Sequence, residues 1–312
     1  MSVRNPTGEG RRGAKPQRVE ITSTLHVSNT CSLKRKCHYC GFAAKTSPEG
    51  YYKSVAKPDR LMEEIALTVY ESGIRRISIS AGYGNFDRVL RAVEIVKENT
   101  DLEVLVNVGG DLSKGDIKIL KTLGVETVCC NLETVNEKLF KKLKPDDDLK
   151  QRLNVCRWVK EEGMWLSSGL LLGIGESEKD REEHLRVLKE LEVDEIPVMG
   201  FRPYKGTPME NHPPAPLELS VQIVNRIREE FPNLKRITVP FPIYGYEGLP
   251  ALLEAGANNV ATVVPRNYPT LIKGVGTPKV GILEELVPFL EKLGYRTNVK
   301  KSPREQTLHL HP

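Results

Sequence analysis

The sequence lacks the long apolar runs and the dense cysteine pattern that mark several classes of protein. No apolar stretch reaches the ~18 residues that a membrane-spanning helix needs. The polar, basic segment 1–18 has no hydrophobic core of a secretory signal, so we expect a flexible tail there. Six cysteines in 312 residues are too few and too unevenly placed for a disulfide scaffold. We therefore expect a cytoplasmic protein without a membrane partner.

An excess of one charge sign is also missing. The 46 Lys and Arg residues against 41 Asp and Glu residues leave a formal net charge of only +5. No domain-wide basic face accompanies this mild excess, so the composition gives no support for a nucleic-acid partner. Small anionic ligands remain compatible with it.

After residue 18, short apolar segments of β type alternate with amphipathic helical segments. The predicted strands are 19–29, 75–82, 102–109, 126–133, 165–173, 195–201, 236–241 and 258–264. The predicted helices are 58–73, 85–100, 149–163, 177–192, 217–232 and 280–294. Near-continuous apolar strands are typical of parallel sheets covered by helices. Eight such units predict an α/β fold, a single-domain (β/α)8 barrel of TIM type over 19–300, with a doubly wound open sheet as the alternative. Residues 301–312 are expected to form a tail.

Three cysteines, Cys31, Cys37 and Cys40, directly follow the first predicted strand on a loop over 30–42. In a barrel this loop lies at the C-terminal end of the strands, where active sites are found. A structural zinc ion needs a fourth ligand, for which His26 or His38 is the nearest candidate, and a disulfide leaves one thiol over. Three thiolates also suit a [4Fe–4S] cluster with one iron open to another ligand.

The basic run inside the longer gap, Lys34-Arg35-Lys36, has two interpretations. It can be a solvated loop, or it can offset the charge of an anionic cluster and steer an electron donor.

The order of these motifs resembles the radical S-adenosylmethionine (radical SAM) superfamily, in the branch that contains biotin synthase and HydE, over residues 19–295. The usual motif of the superfamily is C-x3-C-x2-C, whereas this chain has C-x5-C-x2-C. The longer gap resembles the HmdB family, which is associated with biosynthesis of the iron-guanylylpyridinol cofactor of [Fe]-hydrogenase.

The resemblance implies a role for each residue of the cysteine loop and the turn after the second strand. Cys31, Cys37 and Cys40 would bind three irons of one [4Fe–4S] cluster, and the fourth iron would bind S-adenosylmethionine. Tyr39 would lie near the adenine, and Gly82 would let the backbone approach the methionyl amine.

Three further segments match the branch. In NLET, Asn131 would face the cofactor and Glu133 would accept hydrogen bonds from the ribose. Arg152 would pair with the methionyl carboxylate, as suits a guanidinium fork. Gly173, in GLLLGIGE, belongs to a motif that flanks the adenine.

The activity implied is reductive cleavage of S-adenosylmethionine to a 5′-deoxyadenosyl radical that abstracts hydrogen from a small molecule, for which the resemblance to the HmdB family implies a pyridinol precursor. The electron would come from a donor such as ferredoxin or flavodoxin. A scaffold or carrier that binds the cluster and S-adenosylmethionine without turnover is the alternative. Biotin synthase has a second cluster, but Ser167 and Phe241 occupy two of its ligand positions here, so we expect no auxiliary cluster. Met199, Arg202 and Tyr244 are the candidate substrate contacts.

Overall fold

Eight parallel strands close into a barrel in the computed structural model, which describes residues 17–28, 30–41, 56–269 and 280–300. The strands are β1 (Arg18–His26), β2 (Arg76–Ser80), β3 (Glu103–Asn107), β4 (Thr127–Cys129), β5 (Trp165–Ser167), β6 (Leu170–Leu172), β7 (Glu195–Gly200), β8 (Arg236–Pro240) and β9 (Asn259–Ala261), of which β5 and β6 are two parts of one barrel strand. The short strands β10 (Val263–Val264), β11 (Gly281–Ile282) and β12 (Arg296–Thr297) lie outside the barrel wall. Strand β9 pairs with β1, which closes the sheet. The predicted (β/α)8 barrel is therefore confirmed, and the open sheet is wrong.

Nine helices surround the described part of the barrel. They are α1 (Asp59–Glu71), α2 (Phe86–Asn99), α3 (Lys114–Thr122), α4 (Glu137–Leu143), α5 (Leu149–Glu161), α6 (Glu178–Glu190), α7 (Leu217–Glu230), α8 (Phe241–Glu254) and α9 (Leu283–Lys292). Ser113 and Ser177 start α3 and α6 with capping boxes, which satisfy N–H groups at the helix N-terminus. No helix in the described ranges is long and apolar enough to cross a membrane.

The six predicted helices are present, whereas α3, α4 and α8 were not predicted. Helix α8 begins at Phe241, directly after β8, and contains Pro250 and a kink at Gly245. Its sequence therefore resembles a loop, because proline and glycine interrupt the helical pattern.

Two predicted strands are also interrupted. The predicted segment 258–264 divides at Thr262 into β9 and β10. The predicted segment 165–173 forms two strands, β5 and β6, on either side of Ser168 and Gly169. A Cβ atom at Gly169 would lie 2.1 Å from the Pro197 carbonyl oxygen, so only glycine allows this close approach of β7. The predicted tails at 1–18 and 301–312 lie almost wholly outside the described residues, since β1 begins at Arg18.

Residues alternate between the two faces of the barrel wall, because side chains of a strand point to opposite sides in turn. The outward-facing side chains, such as Ile77, Ile79, Val104 and Val106, are fully buried against the helices. The inward-facing side chains occupy a different environment, which is ionic at the N-terminal end of the strands.

The N-terminal end of the barrel is closed by charged inward-facing residues, here called the ionic plug: Glu20, Arg76, Glu103, Glu195 and Arg236. The Glu195 carboxylate is fully buried, with Oε1 2.6 Å from Arg76 and 2.7 Å from Arg236. Arg76 and Arg236 also bind Glu103, and Arg236 binds Glu20 at 2.6 Å. Since buried charges need such partners, the plug depends on every member being present.

We expect Glu195→Gln to destabilise the protein by about 3 kcal/mol, because it leaves two buried guanidinium groups without their shared carboxylate. Denaturant unfolding of the metal-free protein measures this. Glu190→Gln is the control, since Glu190 pairs with Arg186 on the exposed surface of α6, and a change within about 0.5 kcal/mol is expected there. Equal stability of the two variants would show that the plug contributes nothing.

Candidate functional site

The cysteine loop lies where β1 ends, at the C-terminal rim of the barrel. Cys31, Cys37 and Cys40 are half-buried thiols that form no disulfide among the described residues, and the Cys40 N–H donates to the Cys37 carbonyl oxygen at 3.0 Å in a tight turn. The described part of the loop ends at residue 41, so Phe42 of the predicted loop lies outside it. All three thiols thus lie on a single short segment at the rim.

The turn after β2 supports the first part of this loop. The Ser32 N–H donates to the Tyr83 carbonyl oxygen at 2.9 Å. The Asn85 side-chain amide donates to the carbonyl oxygens of Thr30 and Gly82, each at 3.0 Å. A Cβ atom at Gly82 would lie 2.6 Å from the Thr30 oxygen and 2.7 Å from the Cys31 Cβ. Gly82 is therefore required by its contact with the cysteine loop, whereas its expected contact with a methionyl amine stays a prediction.

The basic run within the loop is largely structural. Arg35 binds Asp146 through its backbone N–H at 2.7 Å and through its guanidinium at 2.6 Å. The Lys36 ammonium donates to the carbonyl oxygens of Cys31 and Leu33. Two of the three cations therefore hold the loop together, and Lys34 alone is fully in solvent without a described contact.

A buried ionic network lies beside the loop. Asp147 Oδ2 lies 3.0 Å from the Lys144 ammonium and 2.7 Å from the Arg152 guanidinium, and Asp147 Oδ1 accepts from the Tyr83 hydroxyl. Arg152 also donates to the Asn131 carbonyl oxygen at 2.7 Å. The side chains of Lys144 and Asp147 are only 3% and 1% exposed. Two cations thus share one carboxylate in a site with little water.

This network carries an excess positive charge next to Cys37. The His38 N–H donates to the Leu143 carbonyl oxygen at 2.8 Å, so the loop lies directly against the residue before Lys144. Burial raises the pKa of the Cys37 thiol, and the Lys144 and Arg152 cations act in the opposite direction. Burial also acts to raise the pKa of Asp147, but the same two cations outweigh it and hold that pKa well below its usual range. A thiolate or a ligand carboxylate is stabilised by such an excess.

Lys144 and Asp147 were missed by the sequence analysis, which identified only Arg152. Arg152 and Lys144 both pair with Asp147, and the expected pairing of Arg152 with a methionyl carboxylate stays a prediction. The signal that could have revealed the network is the charged segment KPDDD at 144–148, which the sequence alone does not distinguish from a solvated loop.

Glu133 is held in a conformation that its residue type rarely adopts. Its φ of 65° lies in the left-handed region, and non-glycine residues in that region carry strain that is often associated with function. Its Oε2 atom is buried without a hydrogen-bond partner in the described structure. An acceptor in this condition is incomplete without a donor from a ligand.

Tyr39 and Asn131 lie near this carboxylate. Burial and the Glu133 charge together raise the pKa of the Tyr39 phenol. The Asn131 Oδ1 atom accepts from the Gly169 N–H at 2.9 Å, so this side chain is fixed by the interruption between β5 and β6. The structure thus brings Tyr39, Asn131, Glu133 and Arg152 together near the cysteine loop.

Gly173 has a structural explanation. Its φ is +78°, and a Cβ atom there would lie 2.6 Å from the Ala215 Cβ. Glu176 closes the turn by accepting from the N–H groups of Gly173 and Ile174 at 3.0 and 2.8 Å. The turn and its packing require this glycine, and its contact with an adenine stays a prediction.

The three candidate substrate residues lie in different environments. Met199 faces the inside of the barrel and packs against the same apolar cluster as Tyr39. Arg202 is exposed at the rim and donates to the Ile243 carbonyl oxygen at 2.8 Å. Tyr244 is buried outside the barrel wall, where its hydroxyl accepts from the Gly200 N–H at 2.9 Å and lies 3.1 Å from Ser220 Oγ on α7. This placement does not support a substrate contact by Tyr244.

The residues present fit an iron–sulfur cluster with a bound nucleoside better than a single metal ion. In the described ranges, no three His, Cys, Asp or Glu side chains, the three cysteines included, are grouped closely enough to hold one metal ion. Three soft thiol donors suit an iron–sulfur cluster. The unpartnered Glu133 oxygen suits ribose hydroxyls, and the positive network suits a carboxylate.

Comparisons with known proteins agree with this arrangement. The family model described as the Radical SAM superfamily matches residues 25–188. An uncharacterized protein of Methanocaldococcus jannaschii is 51% identical over 282 residues, which are 90% of this chain and 75% of that protein. Biotin synthase of Aquifex aeolicus is 31% identical over 67% of this chain and 64% of its own. The crystal structure of methylornithine synthase (PylB) covers 93% of this chain and 86% of its own with a TM-score of 0.78 and 22% identity, which shows a shared fold.

We expect Gly82→Ala to lower the iron and sulfide content of the anaerobically reconstituted protein several-fold, because the new methyl group displaces Thr30 and Cys31. Gly115→Ala in α3 is the matched control, since its nearest atom, Ser113 Oγ, is 3.5 Å from the added Cβ. Metal analysis and the circular dichroism of both variants are the measurements. Full iron loading of Gly82→Ala, with a wild-type fold, would contradict the steric argument.

Proposed function

Because the chain belongs to the radical SAM superfamily of enzymes, we propose that it binds one [4Fe–4S] cluster through Cys31, Cys37 and Cys40 and cleaves S-adenosylmethionine reductively. The observation that supports this most directly is the presence of three cysteine thiols on one rim loop together with a buried carboxylate oxygen of Glu133 that has no partner in the described structure. The thiols supply cluster ligands, and the carboxylate supplies a hydrogen-bond acceptor for a nucleoside.

Each part of the site has a task in this proposal. When bound, the cluster and S-adenosylmethionine supply a 5′-deoxyadenosyl radical that removes hydrogen from a substrate. Glu133 accepts hydrogen bonds from the ribose, while Arg152 and Lys144 provide positive charge for the methionyl carboxylate. The ionic plug closes the far end of the barrel and keeps water from entering there, which protects a reactive site.

We further propose that the enzyme acts in biosynthesis of the iron-guanylylpyridinol cofactor of [Fe]-hydrogenase, with a pyridinol precursor as substrate and a ferredoxin or flavodoxin as electron donor. Two features support this. The C-x5-C-x2-C spacing resembles the HmdB family, and Ser167 at the end of β5 offers no thiol for a second cluster of the biotin synthase type.

We expect the wild-type protein, reconstituted anaerobically, to bind about four irons and four sulfides and to release 5′-deoxyadenosine when reduced. Glu133→Ala should keep its iron but bind S-adenosylmethionine about tenfold more weakly, because the ribose loses its acceptor. Equilibrium dialysis and chromatography of the nucleoside measure the two effects.

The control for this variant is Glu137→Ala, which removes an exposed carboxylate from the first turn of α4. A protein that assembles the cluster and binds S-adenosylmethionine yet forms no 5′-deoxyadenosine would be the scaffold alternative. Binding of stoichiometric zinc without iron would exclude both the enzyme and the scaffold, since each needs an iron–sulfur cluster.

The pathway is tested by isotope transfer. With a pyridinol precursor deuterated at its alkyl positions, we expect deuterium in the released 5′-deoxyadenosine, because hydrogen abstraction joins the two molecules. Mass spectrometry of the nucleoside is the measurement, and the undeuterated compound is the control. Efficient cleavage of S-adenosylmethionine without deuterium transfer from any such precursor would contradict the proposed pathway. It would still agree with the proposed cleavage activity.

A further inference from the structure

The inner wall of the barrel is polar along its first five strands. The last inward-facing residues of β1 to β5 form one continuous row in register, here called the polar arc: His26, Ser80, Asn107, Cys129 and Ser167. Each neighbour in the row is a paired residue of the adjacent strand. The arc therefore follows from strand register. It begins just below the rim at His26 and ends at Ser167, which is fully buried and pairs with Glu195 of the ionic plug.

The opposite side of the wall is apolar. The last inward-facing residues of β6 to β9, here called the apolar arc, are Leu171, Met199, Pro240 and Ala261. One inward position deeper, Pro197 pairs with the polar Thr238, which pairs with Asn259. Leu171 pairs with Met199, and Pro240 pairs with Ala261, so these side chains also share one face. The lumen near the rim thus has a hydrogen-bonding half and a hydrocarbon half.

Space remains between the two arcs. On β2, β3 and β7, the inward-facing Ser78, Asn107 and Pro197 keep part of their surface accessible. The outward-facing Ile77 and Val198 on the same strands have none. Because accessible surface in the middle of a barrel wall can only border an internal space, the lumen is open above the ionic plug.

No charged side chain of the described strands faces this space between the plug and the rim. The charges of the plug itself are paired with one another, as Glu195 with Arg76 and Arg236. The strands offer a ligand charge no partner here, and Lys57, the charged side chain beside His26, already donates to the His26 carbonyl oxygen at 2.6 Å. Burying an unpaired charge is strongly unfavourable. The part of a ligand that enters the lumen is therefore uncharged.

His26 is the residue of the polar arc that is best placed to form a selective hydrogen bond with an uncharged ligand. Its Nδ1 atom lies 2.9 Å from Ser80 Oγ, and its Nε2 atom has no partner within the described ranges. Burial, with a smaller effect of Lys57, lowers the pKa of this imidazole to about 4, so the ring is neutral at physiological pH. A neutral, oriented imidazole offers one directed hydrogen bond without a charge.

We propose that the lumen binds the uncharged part of a small molecule with hydrogen-bonding groups along one edge and hydrocarbon along the other, and that His26 is a specificity-determining residue for the polar edge. This deepens the proposed function, since it names the class of substrate for the reaction at the same rim. Any charged group of the substrate stays at the rim, near Arg202, because Lys144 and Arg152 are assigned to S-adenosylmethionine.

The test measures binding by the full-length, cluster-loaded protein with S-adenosylmethionine present, using isothermal titration calorimetry. The probes are 2-hydroxypyridine, which is neutral with one polar edge, and picolinate, which has a similar ring but carries a carboxylate. We expect 2-hydroxypyridine to bind more tightly than picolinate. His26→Leu should weaken its binding about tenfold, because one directed hydrogen bond is lost, whereas His26→Gln retains a donor and should lie closer to the wild type.

Two serines of the wall provide a matched pair. Ser80→Ala removes the partner of His26 on the inner face and should weaken 2-hydroxypyridine binding. Ser23→Ala removes a buried hydroxyl from the outward-facing side of β1 and should leave it unchanged. Iron content and S-adenosylmethionine binding of all variants should match the wild type, which separates a lumen effect from damage to the rim.

Three results would overturn the proposal: no measurable binding of 2-hydroxypyridine, tighter binding of picolinate, or unaltered binding in both His26→Leu and Ser80→Ala. None of these readouts requires turnover. A protein that passes the binding test but forms no 5′-deoxyadenosine would therefore refute the proposed function alone.

Discussion

Strict alternation of side chains along a closed parallel sheet is the constraint on which the rest of this structure depends. Pairing of β9 with β1 leaves the barrel wall without a free edge, so the register of every strand is fixed by its neighbours. A shift of one residue in any strand would exchange its inner and outer side chains. The ionic plug, the two arcs of the lumen and the rim loops therefore all follow from the alternation of side chains. They lie at successive levels along the same strands, from the N-terminal to the C-terminal end.

Electrostatics divides the same barrel into layers with different tasks. At the N-terminal end, three carboxylates outnumber two guanidinium groups by one, so the layer that closes the barrel has a negative excess. At the rim, Lys144 and Arg152 share only Asp147, and the layer keeps a positive excess. Charged residues at the closed end of such a barrel serve stability, whereas the positive network at the loop end marks a ligand site. The neutral lumen lies between the ionic plug and the Lys144–Asp147–Arg152 network, so the charges of one layer do not pair with those of the other.

Much of this arrangement could be predicted from sequence, because its signals are local. Apolar segments with helical segments between them identify eight strands, and three cysteines after the first strand identify the rim loop. The plug also has a local signal in the sequence, a charged residue at the start of an apolar strand, as at Arg76, Glu103, Glu195 and Arg236. What could not be predicted depends on contacts between distant segments. The partners of Glu133 and Asp147, the break at Gly169 and the outward burial of Tyr244 are set by packing, which a single sequence does not display.

The attachment of the cysteine loop to the segment between α4 and α5 has a thermodynamic consequence. Arg35 binds Asp146, and His38 binds the Leu143 carbonyl oxygen, while Asp147 on the same segment holds Arg152. Ordering of the cysteine loop and orientation of the Arg152 guanidinium are therefore coupled, because both depend on the same segment. Metal loading and nucleoside binding become linked equilibria, and the factor by which the first strengthens the second equals the factor by which the second strengthens the first. A chain built this way favours its fully assembled state over either half-assembled one.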